Sequence, residues 1–365
     1  MSFSFLLISK LLSRCKKIPL QADRHQIYFR HYMATSTSNT VRRPKVLVTQ
    51  ALLPDSEKLL ENAEEVEVEI WKDGLIPREE LLKKVKGVDG ILCTLSNKID
   101  KELLDATGPQ IKVVSTVSVG YDHVDVKELR KRNIPLGYTP GVLTDATADL
   151  TVILVLGAAR RIREGILSVL NGTWGIWTPT YMIGSQLSNK TVGIVGLGRI
   201  GKATAIRLKP FIGANGKIIY SGNSDKPYAG EIGATKVDFD TLLRESDVIC
   251  VTCALTSQTK EMFDYDAFKK MKKSVVFVNS ARGGLVKQDD LVRALSESLL
   301  GSVGLDVTTP EPLDPQDPLL KYDNVFVLPH IGSATYETRT LMGNIAVENL
   351  LAGVRGKPLP HAAQL

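Results

Sequence analysis

The chain has 365 residues, a formal net charge of +6, and 43% hydrophobic and 24% charged residues. That is the composition of a globular chain long enough for two domains, not of a fibrous or low-complexity one. The charge is concentrated, with nine basic side chains against one acid in residues 1–45, so the remainder carries −2 and has no general attraction for a polyanion; nucleic acid is excluded as a partner class.

Residues 1–44 read as a leader: basic, hydroxyl-rich and almost free of acids, with Phe3, Phe5, Leu6, Leu7, Ile8, Leu11 and Leu12 interrupted by Lys10. This resembles a mitochondrial presequence, and a disordered leader bypassed by translation from Met33 is the equal alternative. The apolar run 3–8 is too short to span a membrane, and Lys10 spoils it as a secretory core. The expected location is the cytosol or the mitochondrion, without a membrane partner. Ala363-Gln-Leu365 only loosely echoes a peroxisomal tripeptide, so the peroxisome is the weaker expectation.

From Lys45 onward, apolar strand patterns alternate with helical ones. Strands are expected at 45–49, 66–70, 90–94 and 112–115, with helices at 56–63, 79–86 and 101–106 between them, which predicts a parallel sheet covered by helices. Residues 144–171 read as one long, strongly apolar helical region, either an interdomain helix or a subunit interface. Trp174 and Trp177 follow in a Gly- and Pro-containing loop, where they anchor a partner surface or plug the core.

The organising segment is TVGIVGLGRIG, 191–201: a buried strand, a glycine turn and a helix start. Gly196 permits the tight turn, Gly198 lets the backbone approach a pyrophosphate and Gly201 lets helix and strand pack, while the helix N-terminus, at Arg199 and Ile200, offers N–H donors to the anion. A second strand, 217–220, ends where an acid would read a ribose 2′-hydroxyl, and Ser221 stands there instead. Without that carboxylate nothing repels a 2′-phosphate, and Ser221, Asn223, Ser224 and Lys226 could bind one, so NADPH is the expected cofactor; Asp225 taking the ribose role is the competing reading.

The alternation resumes with strands at 247–253, 274–279, 301–306 and 324–328 and helices at 237–245, 265–271 and 288–296. A last helix, 335–351, has nothing to cover at the end of a completed sheet and is expected to return to the first unit. Cys250 and Cys253 match a CxxC spacing but lie in the expected strand 247–253, where they point to opposite faces; both read as structural, and no metal is expected.

Three segments sit at strand ends, where ligands bind in doubly wound sheets: NSARGG (279–284), GLDVTTPEP (304–312) and LPHIGS (328–333). Arg282 can bind a carboxylate in bidentate fashion and polarise a neighbouring carbonyl. His330 can deliver a proton to an oxygen that becomes negative as hydride reaches carbon, and Glu311 beside it would stabilise the imidazolium.

Together with STVSVGYDHVD (115–125) and GYTPGVLTD (137–145), these segments make the chain from Lys45 to the end resemble the D-isomer-specific 2-hydroxyacid dehydrogenase family, within it most nearly the reductases of glyoxylate and hydroxypyruvate. The resemblance implies an α/β architecture of two Rossmann-like doubly wound domains, a nucleotide-binding domain (145–331) inserted into a flavodoxin-like substrate-binding domain (45–144 and 332–365). It implies NAD(P)H-dependent reduction of short 2-oxo acids, hydroxypyruvate to D-glycerate and glyoxylate to glycolate, in a homodimer. His330 becomes the proton donor, Glu311 its partner and Arg282 the substrate clamp. Val119 and Gly120 hold the substrate carboxylate through their amides, and Leu95 and Trp177 shape the pocket, the tryptophan from across a dimer. Ser280 falls among the cofactor contacts, and Asp306 lies at the nicotinamide end. Related reductases carry Arg where this chain has Asn223, which counts against the 2′-phosphate site. The other readings are a different D-2-hydroxyacid dehydrogenase, such as one acting on 3-phosphoglycerate, and an NAD-sensing corepressor-like scaffold.

Overall fold

The computed structural model describes residues 42–365, so the leader expected at 1–44 lies almost wholly outside the described residues. Each strand of the first sheet is short, and all but the edge strand β2 are largely buried: β1 (Lys45–Val48), β2 (Glu67–Ile70), β3 (Gly90–Cys93), β4 (Val113–Thr116) and β5 (Leu136–Gly137), in the order β2-β1-β3-β4-β5 with every pair parallel. That is the flavodoxin-like order. Its crossovers are α1 (Pro54–Glu61), α2 (Arg78–Lys84), α3 (Lys101–Thr107) and α4 (Val126–Lys131). Asp100 caps α3 by accepting from the Leu103 amide, and Asp125 caps α4 through that of Glu128. Neither α4 nor the two-residue β5 is apparent in the pattern of the sequence, since both are too short to show a period.

The second sheet holds β6 (Thr191–Val195), β7 (Lys217–Ser221), β8 (Ala234–Lys236), β9 (Val248–Val251), β10 (Val276–Asn279), β11 (Ser302–Leu305) and β12 (Val325–Val327). Its order, β8-β7-β6-β9-β10-β11-β12, is the doubly wound one with a seventh strand added, again all parallel. The helices are α5 (Thr144–Ala159), α6 (Ile162–Leu170), α7 (Arg199–Ile212), α8 (Phe239–Glu245), α9 (Tyr265–Lys270) and α10 (Gln288–Ser296). Edge-on contacts among Phe263, Phe268 and Phe277 lie at the centre of one face, with ring centroids 5.0–5.6 Å apart.

The final helix, α11 (Tyr336–Val354), packs on the first sheet: Met342, Ala346, Val347, Leu350 and Val354 share a buried cluster with Val46, Val48, Leu92 and Val113. Gly353 permits this contact, because a Cβ there would collide with the Val113 side chain. Ser115 Oγ donates to the Ala346 carbonyl (2.8 Å), and buried Asn349 donates to Tyr138 O and accepts from His361 N, tying helix and C-terminal tail to the loop after β5.

The expected single helix over 144–171 is a correction: α5 ends at Ala159, and Arg161 takes a left-handed φ of 55° before α6 begins. The 181–185 loop causes the break, for Ser185 N donates to Ala159 O, closing the end of α5. Likewise β9 ends at Val251, so Cys253 lies beyond the strand, while Cys250 and Cys93 are buried thiols. Among the described residues no helix is long and apolar enough to cross a membrane, and no group of His, Cys, Asp or Glu is arranged to hold a metal.

Candidate active site

In the second sheet the strand order reverses between β6 and β9, and the glycine turn lies there. Gly196 has φ +93°, and a Cβ on it would fall 2.6 Å from Cys253 Cα, so only glycine fits. A Cβ on Gly201 would strike the Gly196 carbonyl, whereas Gly198 faces open space, where another molecule's backbone-close approach is unobstructed. Thr252 Oγ1 donates to Gly196 O (2.8 Å), and Gly196 N donates to Ser221 O (2.8 Å), holding the turn against both neighbouring strands. Helix α7 starts at Arg199, so the amides of Arg199, Ile200 and Gly201 precede its first internal bonds and can receive an anion. This open glycine face, the oriented amides and the switch point together fit a dinucleotide pyrophosphate.

Past Ser221 the chain passes through exposed Asn223 and Ser224 to Lys226, whose Nζ donates to Ser224 Oγ (3.0 Å). Asp225 is 89% exposed and paired with Lys236 at 3.2 Å, which draws its carboxylate toward a cation.

Between the carboxyl ends of the two sheets lies a cleft of about 500 Å³, lined by Leu95, Val119 and Gly120 from one side and Ser280, Arg282, Asp306 and His330 from the other. Leu95 belongs to a turn closed by Asn97, whose Oδ1 accepts from Thr94 N and Thr49 Oγ1. Arg282 follows β10; the Asn279 side chain donates to Arg282 O and accepts from Ala281 N, fixing that loop. Its guanidinium is oriented twice, by Nη1 to Ala281 O (2.8 Å) and by Nε to Asp122 Oδ1 (2.9 Å). Burial would raise the Asp122 carboxyl, but the charge and hydrogen bond of Arg282 hold it below the usual carboxylate range.

His330 Nδ1 lies 2.7 Å from Glu311 Oε2, and Thr308 N donates to Glu311 Oε1 (3.0 Å). Burial works against ionisation of Glu311, yet the His330 hydrogen bond and charge, the Thr308 amide and Arg282 hold its carboxyl below the usual range. An ionised Glu311 accepts from Nδ1–H, leaving Nε2 as the ring nitrogen that can exchange a proton in the cleft. His330 itself has φ +54°, a strained backbone for a non-glycine residue. The strain is held by buried Asp306: its carbonyl accepts from His330 N, and its two carboxylate oxygens accept from the amides of Ile331 and Gly332, all at 2.8 Å. Burial raises the Asp306 carboxyl against those amides and the neighbouring His330.

The fold thus brings Arg282 and His330 into one cleft, with Glu311 hydrogen-bonded to His330, and lines the same cleft with Val119, Gly120, Leu95, Ile200, Ser280 and Asp306. Trp177 does not line its own chain's cleft; it is 76% exposed. Two cleft residues escaped the reading of the sequence. Asp122 stands inside the GYDHVD segment, where its partner 160 residues away could not be seen. Arg339, half-buried in α11, lines the cleft, and burial pulls its guanidinium below the usual value despite Asp306 nearby; nothing in a helical surface pattern marks it.

Residues 152–332 match the sequence profile of the D-isomer specific 2-hydroxyacid dehydrogenase, NAD binding domain. The glyoxylate reductase/hydroxypyruvate reductase of Mus musculus is 49% identical over 326 residues, covering 89% of this chain and 99% of that one, and its Homo sapiens counterpart is 47% identical over 327 residues, with the same shares covered. Among solved structures, the NADPH-dependent glyoxylate/hydroxypyruvate reductase of Sinorhizobium meliloti, in complex with NADP and malonate, superposes with a TM-score of 0.75 at 29% identity, covering 88% of this chain and 97% of that one.

Proposed function

The chain belongs to the D-isomer-specific 2-hydroxyacid dehydrogenase family, and from that premise we propose that it reduces short 2-oxo acids, hydroxypyruvate to D-glycerate and glyoxylate to glycolate. The observation that carries the reading is the Glu311–His330 pair, 2.7 Å apart, on the wall of a cleft that also holds Arg282. Two mammalian relatives named for both reductions share nearly half of their residues with it. We read residues 45–144 with 332–365 as the substrate-binding domain and 145–331 as the nucleotide-binding one.

A reduced nicotinamide, when bound at the glycine turn, supplies the hydride. Arg282 and the amides of Val119 and Gly120 take the substrate carboxylate, which sets the C2 carbonyl beside His330. His330 gives the Nε2 proton to the carbonyl oxygen as C2 is reduced, and Glu311 stabilises the imidazolium from Nδ1. Substrate held between two domains is shielded from water, which strengthens each of these contacts. The test is oxidation of the reduced cofactor by the purified enzyme with hydroxypyruvate: rapid turnover supports the reading, and none with hydroxypyruvate or glyoxylate overturns it.

The nicotinamide cofactor is proposed to be NADPH in preference to NADH. Ser221 stands in place of an acid, Ser224 and Lys226 lie beside it, and the Lys236 ion pair draws Asp225 away from the ribose role. Ser221→Asp is expected to lower kcat/KM for NADPH and raise the NADH/NADPH ratio by about 10-fold or more, since one pairing or repulsion of about 1.4 kcal/mol is a factor of ten. A wild type that already prefers NADH would overturn the assignment.

The enzyme is proposed to act as a homodimer. Ile166, Val169 and Leu170 on α6 continue into Trp174 (68% exposed), Ile176 (91%) and Trp177, an apolar surface larger than scattered exposure explains. A second copy of the chain covers it, with Trp177 reaching the partner's cleft. Leu170→Glu with Trp174→Glu should give a monomer by light scattering, and Trp177→Ala a dimer with raised KM for the 2-oxo acid; a monomeric wild type would sink this reading.

A further inference from the structure

The turn that follows β4 is built from side chains the mechanism above does not use. The backbone N–H groups of Ser118, Val119, Gly120 and Tyr121 have no acceptor among the described residues, although Ser118 is buried and its neighbours half-buried. Beneath them runs a line of three hydrogen bonds: Ser118 Oγ to Gly120 O at 2.8 Å, Thr116 Oγ1 with Ser118 Oγ at 2.8 Å, and Thr116 Oγ1 with His123 Nε2 at 3.0 Å.

Their directions follow from proton counting. A carbonyl only accepts, so Ser118 spends its single proton on Gly120. Thr116 must then donate to Ser118, and His123 must donate from Nε2 to Thr116. The imidazole is therefore an Nε2–H group, which agrees with a buried Nδ1 that has no partner. Burial, with Arg282 adding to it and Asp122 opposing, brings the His123 pKa down to about 4, so the ring is neutral at physiological pH. The buried Cys93 thiol beside Thr116 is pushed up to about 12, mainly by burial, and stays protonated, adding no competing charge.

The same turn meets Arg282 from both ends. Gly120 lies so close to the guanidinium that a Cβ would collide with Nη2, and Asp122 accepts from Nε. A shift of Gly120 would therefore move the amides and their register with Arg282 together.

We propose that His123, Thr116 and Ser118 are positioning residues, a one-directional hydrogen-bond relay that holds the 116–123 turn so that the Val119 and Gly120 amides and Arg282 converge on the substrate carboxylate. The inference rests on the carboxylate reading given above. A break at Ser118 removes the bond to the Gly120 carbonyl, and a break at Thr116 or His123 removes the donor that orients the Ser118 hydroxyl toward it, so on this proposal breaking the relay twice adds little further. Such non-additivity distinguishes a coupled chain from separate packing contributions.

The test uses the full-length enzyme and the variants Thr116→Val, Ser118→Ala, their double, His123→Gln and His123→Leu. The readouts are KM for hydroxypyruvate, Ki for the unreactive dicarboxylate oxalate, kcat and the Kd for NADPH. Each single break is expected to raise KM and Ki about 10-fold, the scale of one lost hydrogen bond, with kcat and the Kd for NADPH within about twofold. The double should match the worse single, and His123→Gln, which keeps an N–H donor, should recover part of what His123→Leu loses. Effects that multiply to about 100-fold in the double, or KM and Ki unchanged in an active Thr116→Val, overturn the relay. Should Thr116→Val misfold, Ser118→Ala alone decides by the same criteria. A wild type without turnover or oxalate binding would overturn the carboxylate reading itself, whereas an active wild type with indifferent variants overturns only the relay.

Discussion

His330→Gln should lose kcat by about 10²–10⁴-fold, the usual worth of a positioned general acid, while binding NADPH as tightly as the wild type. The amide can still approach Glu311, but it cannot give up a proton to the developing alkoxide. The left-handed backbone at His330 is secured by main-chain and Asp306 contacts, with Asp306 O accepting from His330 N and Asp306 Oδ1 and Oδ2 from the next two amides, so the substitution does not remove what holds the turn. Cofactor titration by fluorescence and single-turnover kinetics would separate the two effects. Turnover close to that of the wild type would remove His330 from the chemistry. Glu311→Gln should lie between the two: it keeps a hydrogen-bond partner for Nδ1 but lacks the charge that stabilises imidazolium, so its loss should appear in kcat and not in cofactor binding.

Arg282→Ala should lower kcat/KM for hydroxypyruvate by about 10²–10³-fold, because removing one partner of a hydrogen-bonded charge pair costs on the order of 2–5 kcal/mol. The loss combines the missing carboxylate contact with an Asp122 carboxylate left without its cation. Arg282→Lys should recover only a small part. A lysine ammonium is a point charge that cannot meet Ala281 O, Asp122 and the substrate carboxylate together, as the planar guanidinium can. Steady-state kinetics on the three proteins, with oxalate inhibition as the measure of carboxylate binding, checks this. A lysine variant equal to the wild type would show that charge alone suffices and that the fork geometry is unimportant.

Most of the legible parts of this protein share one property: they depend on residues near one another in the chain. The GLGRIG turn announces a strand, a tight turn and a helix start within eleven residues, and the structure has β6, Gly196 at φ +93° and α7 there. The strand ends that carry Arg282, Glu311 and His330 could be placed because a doubly wound sheet delivers ligands to the carboxyl ends of its strands. Glu311 and His330 lie only 19 residues apart, on loops from adjacent strand ends, and their 2.7 Å contact follows from that connectivity. Where a pattern is continuous in composition but interrupted in space, the reading fails. Nothing in the apolar run 144–171 marks Arg161, whose left-handed turn depends on Ser185 closing α5 from a loop more than twenty residues away.

The sequence by itself therefore determined the α/β class, the glycine turn and the three side chains of the site, because periodicity, glycine geometry and residue chemistry act over a few residues. Only the tertiary structure decided that Asp122 holds Arg282 from 160 residues away, that Arg339 from the last helix lines the cleft, and that His123 meets Thr116 within the turn bearing the free amides. The first two join segments whose approach is set by packing far along the chain, the third depends on how one turn closes on itself, and hydrogen-bond geometry tolerates errors of only a few tenths of an ångström. A chain's local pattern carries no information at that distance or that precision.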